Sequence, residues 1–107
     1  MKIQGMSGNI YSFAGPHFDT DSIENKSGVY AIIDSFNGKY YLLDIGESHD
    51  VKNRLASHDR RDCWKRNKKG TILYYVYYTL NKQQAGRMDI EQDIRKNKAY
   101  HIPCGER

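Results

Sequence analysis

Four residues of this chain have side chains suited to attack on a phosphodiester: Tyr30, Arg54, His58 and Glu91. Hydrolysis at phosphorus needs a base for the water, a cation for the phosphoryl oxygens and, commonly, a metal ion. Tyrosine and histidine are bases, arginine offers phosphate a fork of donors, and a carboxylate suits a hard cation such as Mg²⁺. Between them, KYYLLDIG (39–46) puts Asp44 where an apolar strand should be ending and a bare glycine, Gly46, at its exit. A glycine there opens the strand end to close approach by a backbone.

These residues need elements to hold them. SGVYAIID (27–34) is rich in β-branched and aromatic residues and reads as a strand carrying Tyr30. Asn37-Gly38 is a strong hairpin signal, so 39–46 returns antiparallel. Strict alternation would put Tyr40, Leu42 and Asp44 on one face and Tyr41, Leu43 and Ile45 on the other. Ser48 is the expected N-cap of a helix over about 49–58, with Val51 and Leu55 inward. Arg54 and His58, four apart, share a neighbouring face of it. Residues 60–70 read as a basic loop with a helical turn around Trp64, 71–80 as a strand, and 83–97 as a helix. That last helix carries Arg87, Glu91 and Arg95 at spacings of four, so Glu91 also suits simple ion pairs with its neighbours. Residues 9–15 read as a short strand or an ordered arm. The expected fold is α/β: a small antiparallel sheet of three or slightly more strands flanked by helices.

Length bounds the rest. A chain of 107 residues forms one domain, 1–107, with a core over about 27–97, an N-terminal arm (1–26) and a tail (98–107). Lys52, Arg54, Arg60, Arg61, Lys65, Arg66, Lys68 and Lys69 leave six net positive charges on 52–69, which favours an anionic partner, nucleic acid above all. A solvated charged face is the plainer alternative. Lys52, Arg60, Arg61, Trp64, Lys65, Arg66, Lys68 and Lys69 are candidate substrate contacts, and Trp64 suits a core anchor equally well. With no membrane span, no leader-like apolar stretch after Met1 and no Cys-x-x-Cys, a cytoplasmic protein with reduced thiols is expected. His58, Cys63, His101 and Cys104 match no strong zinc spacing. Oligomeric state is left open.

Together the motifs resemble the GIY-YIG nuclease superfamily. Gly28-Val29-Tyr30 resembles the first triplet, Asp44-Ile45-Gly46 falls where the second should be, and Arg54-Leu-Ala-Ser-His58 resembles the Arg-x-x-x-His that follows it. Ile90-Glu91 is similar to the metal-binding glutamate segment. The resemblance covers about 27–97 and implies an endonuclease dependent on Mg²⁺ or Mn²⁺ that hydrolyses DNA, with RNA left open. It implies Tyr30 as general base, Arg54 on the scissile phosphate, His58 as orienter or proton relay, and Glu91 on the metal. A phenol with an ordinary pKa of about 10 is a poor base and needs a nearby cation, Arg54 or the metal. Two departures stand out: Asp44 replaces the second signature tyrosine, and Ile102-Pro103-Cys104-Gly105 lacks the expected asparagine. Asp44 suits a second metal-site carboxylate opposite Glu91, or a turn cap. The alternatives are a catalytically silent nucleic-acid-binding module and a structural or protein-interaction domain.

Overall fold

Residues 1–105 are described by a computed structural model. They run β1 (Lys2–Gln4), β2 (Ile10–Ser12), β3 (Ala14–His17), β4 (Gly28–Phe36), β5 (Lys39–Ser48), α1 (Val51–Ala56), α2 (Arg61–Asn67), β6 (Thr71–Tyr78), α3 (Gln84–Arg95). The fold is α/β, with two antiparallel sheets where one was expected. β1 and β2 form a two-stranded ribbon, and the main sheet has the order β3-β6-β4-β5. The arm before residue 27 thus supplies three short strands: the one expected within 9–15 appears as β2 and the start of β3, and β1 was not expected.

The β4–β5 hairpin forms as its turn residues dictate. Asn37 and Gly38 both take positive φ, 52° and 74°, which a two-residue turn matched to strand twist requires. β4 lies between β5 and β6 and is buried from Gly28 to Asp34. Val29, Ala31 and Ile33 join Leu73, Tyr75, Ile90 and Ile94 in one core, under α3. Tyr30 and Ile32 join Val51, Leu55, Trp64, Tyr74 and Val76 in the other, under α1 and α2. Two layers of helix therefore sandwich the sheet.

The alternation expected along β5 breaks at a bulge. Ile32 pairs with Asp44 but Ile33 pairs with Leu42, so Leu43 is an extra residue. Leu42 and Ile45 consequently share the α3 core, whereas Leu43 joins the opposite core, and Asp44 reaches the α2 residues Trp64 and, at its N-cap, Arg60. The predicted faces of Leu43 and Asp44 relative to Leu42 and Ile45 are corrected accordingly.

Three local expectations change. The first helix is short, and its N-cap is Asp50, which accepts from the Asn53 amide at 3.3 Å, while Ser48 Oγ, two residues earlier, accepts from Asp50 N–H at 3.0 Å. The basic loop contains a helix, α2, anchored by buried Trp64. Cys63 and Cys104 form a disulfide rather than two thiols, which ties α2 to the tail, and the Cys104 amide donates to Leu43 O at 2.9 Å. No helix among the described residues is long and apolar enough to cross a membrane.

Candidate active site

Gly46 pairs with Tyr30 across β5 and β4, and a Cβ at 46 would overlap the phenol ring and its hydroxyl. Glycine here leaves room for the ring to lie across β5 and bring its hydroxyl to the sheet edge. A close approach at Gly46 is made by the Tyr30 ring, and that packing by itself accounts for the glycine.

Tyr30 is buried, and its Oη lies 2.6 Å from His58 Nε2. The Arg60 amide donates to His58 Nδ1 at 3.0 Å, so the ring proton of a neutral His58 sits on Nε2 and is donated to the phenol oxygen. Burial, then the guanidinium charges of Arg54 and Arg60, hold His58 down at about 4, so the ring is neutral near pH 7. Tyr30 is pushed up to about 12, first by burial and then by the Asp44 charge. Arg60 and Arg54 pull the other way and lose. The help expected from Arg54 alone therefore does not make this phenol a base.

Asp44 is fully buried and heavily engaged. Arg60 grips it with two donors, Nε to Oδ2 at 2.8 Å and Nη2 to Oδ1 at 3.2 Å. Trp64 Nε1–H donates to Oδ2 and the Ile45 amide to Oδ1, both at 2.8 Å. Both oxygens are occupied and turned toward α2. Asp44 is not the second metal-site carboxylate opposite Glu91; it anchors α2 and its N-cap, Arg60, to β5.

The two helical layers meet at the β5 edge in a small cleft of about 100 Å³, lined by Tyr30, Arg54, Arg60, Glu47, Met88 and Glu91. Arg54 is held there by Asp59 at 2.9 Å, with its side chain 38% exposed and so open to an anion. Glu91 is fully buried and accepts from Arg95 Nη2 at 2.6 Å, and the same nitrogen donates to Ile45 O at 2.8 Å. Of the two arginines that flank Glu91 at spacings of four, Arg87 instead meets Glu47 Oε2 at 3.2 Å. Glu47 was absent from the sequence-derived set, although a carboxylate next to Gly46 at the end of an apolar strand was a usable signal.

Glu47 and Glu91 are hard oxygen donors lining one cleft, the ligand type that suits Mg²⁺ or Mn²⁺, and each is held by an arginine, Arg87 and Arg95, with which a cation would compete. Among the described residues no three His, Cys, Asp or Glu side chains gather, so waters and phosphate oxygens would complete the shell, as Mg²⁺ commonly allows.

The basic stretch divides. Arg60 faces Asp44, Arg61 Nη1 donates to Ala56 O at 2.8 Å, and Lys52 Nζ donates to Asp21 O at 3.2 Å. Lys65, Arg66, Lys68 and Lys69 are exposed. Trp64 is 1% exposed, with its ring against His58 and Tyr74, so it is a core anchor and not a substrate contact. The zinc set is also set aside: both sulfurs are in the disulfide, and His58 faces Tyr30.

No protein-family model, curated protein or solved structure matches this chain.

Proposed function

We propose that the chain is a GIY-YIG-like endonuclease, dependent on Mg²⁺ or Mn²⁺, that hydrolyses phosphodiesters of DNA, with RNA as a second possible substrate. The observation that carries this reading is the convergence of Tyr30, Arg54 and Glu91, from three elements, on one cleft at the sheet edge. The order hairpin, α1, α2, β6, α3 over 28–95, which is the expected order with α2 added, supports it.

Glu91, with Glu47, would hold the cation. When bound, the cation supplies positive charge that lowers the Tyr30 pKa and offsets charge on the phosphate. Arg54 grips non-bridging phosphate oxygens. Tyr30, as phenolate, takes a proton from the attacking water, whose oxygen bonds to phosphorus as the P–O3′ bond breaks. The products are a 5′-phosphate and a 3′-hydroxyl, the leaving oxygen being protonated from solvent. His58, neutral, donates Nε2–H to the Tyr30 oxygen, which favours the phenolate and fixes its aim. Its role is to orient Tyr30, since Nε2–H is spent on the phenol oxygen and Nδ1 already accepts the Arg60 amide. Asp44 and Arg60 hold the scaffold behind it.

Nicking of supercoiled plasmid with Mg²⁺ or Mn²⁺ tests the reading, with EDTA and Glu91→Gln as controls. Glutamine keeps the volume of a buried side chain and removes its charge. Metal-dependent nicking, lowered at least ~100-fold in a folded Glu91→Gln protein, is the expected result. The second reading, a silent binding module, draws on the Arg95–Glu91 ion pair and the raised Tyr30 pKa. It would give salt-sensitive DNA binding with no nicking.

A further inference from the structure

A second concavity lies farther along the same edge strand. It occupies about 490 Å³ between the hairpin end of β4–β5 and the C-terminal tail, within the ~300–1,000 Å³ of small-molecule sites. Phe36, Tyr40, Tyr41, Tyr100 and Lys69 line it. Tyr40 and Tyr41 are 60% and 46% exposed, so neither ring is spent on a core. The one buried carboxylate in its wall, Asp34, is already committed: it accepts from the amides of Lys69 and Gly70 at 2.8 and 2.9 Å.

Lys69 is the one lysine or arginine in the lining of this groove, and it ends a basic run. Lys65, Arg66 and Lys68, exposed on α2 and just after it, precede Lys69, and none of the four forms an ion pair among the described residues. Aromatic rings beside an unpaired cation, Lys69, match a ligand with a flat π-face and a phosphate, a nucleotide. The groove reaches Asp34 and Leu42, four residues along β4 and β5 from the Tyr30–Gly46 pair, roughly 13 Å at strand rise. A strand lying over the edge could meet both sites.

We propose that this groove stacks an unpaired base of the nucleic acid, with Lys69 on its phosphate. The inference rests on the nucleic-acid reading of the cleft and adds a single-strand preference to it. It also implies that the chain acts where a strand is splayed, at an end, flap or loop.

The test measures equilibrium binding in EDTA, so cleavage plays no part. The probes are a single-stranded DNA, the same sequence in RNA, and the DNA duplex, each carrying a fluorescent base analogue. Tyr40→Ala/Tyr41→Ala should weaken the single strands about 5- to 100-fold, abolish quenching of the analogue and leave the duplex unchanged. Tyr41→Trp should retain binding, because it keeps the stacking face. Lys69→Ala should weaken all probes and reduce the salt slope by about one. Equal single-strand affinity in the double alanine variant, or equal losses on strand and duplex, overturns the groove. The DNA and RNA arms separate the two sources of the base. If the selective loss appears while Glu91→Gln leaves nicking untouched, the groove stands and the catalytic reading falls.

Discussion

Asp44→Ala is the sharpest perturbation of this structure. The carboxylate takes hydrogen bonds from Arg60, from the Trp64 indole and from the Ile45 amide, and it is fully buried. Removing it strands the indole N–H of a tryptophan that is 1% exposed, which costs ~1–3 kcal/mol. It also orphans Arg60. A fully buried charge left alone costs ~3–5 kcal/mol, but the Arg60 side chain is 22% exposed and can turn toward water, so a smaller share applies. A loss of about 3 kcal/mol is expected, a fall in Tm of roughly 12–20 °C for a chain of this size. Asp44→Asn keeps one acceptor and should fall between. Urea unfolding followed through the fluorescence of the only tryptophan, Trp64, reports it by midpoint rather than amplitude. Divalent-metal affinity, measured by calorimetry, should hold in the folded variant. A stability within ~0.5 kcal/mol of the parent, with metal binding lost, would refute the anchoring role and restore Asp44 as a ligand.

Other outcomes follow from the same geometry. His58 is held down from 6.5 to about 4, so the unfolded chain binds the extra proton first, and stability present above pH 6.5 is lost as pH falls toward 4. His58→Gln should flatten that slope in an acid titration of folding stability, and an unchanged slope would exclude His58 as its source. Gly46→Ala should displace the Tyr30 ring and destabilise by ~1–3 kcal/mol; a crystal structure with the phenol unmoved would count against the packing argument. Cys63 and Cys104 close a loop with a sequence separation of 41, and a chain-entropy model gives about 4 kcal/mol of stabilisation. Alkylation without reductant, read by mass spectrometry, should find no free thiols, and two modified cysteines would reverse this.

Much of the scaffold was legible because its signals are local. The Asn37-Gly38 turn, the β-branched and aromatic runs of β4 and β6, and the Glu91–Arg95 spacing each speak through near neighbours. What stayed hidden depends on distant partners. Nothing around Leu43 announces a bulge, so the face of Asp44 could not be read, and with it went the pairing to Arg60 sixteen residues away. Arg60 and Arg61 looked like phosphate contacts because a charge run does not say which members are spent internally. Glu47 had a local signal in its place beside Gly46, but its partner Arg87 comes from α3, forty residues away.

The tail that runs beside β5 has a colloidal consequence. β3 and β5 are the outer strands of the main sheet, and an outer strand is a template for another chain's strand. On β3, Pro16 removes one amide donor. On β5, the Cys104 amide already satisfies the Leu43 carbonyl, and the disulfide keeps it in place. Clipping the chain near residue 98, or reducing the bond so that the tail lifts, would bare that border. The expected result is concentration-dependent strand-to-strand association, so the tail protects the chain's solubility.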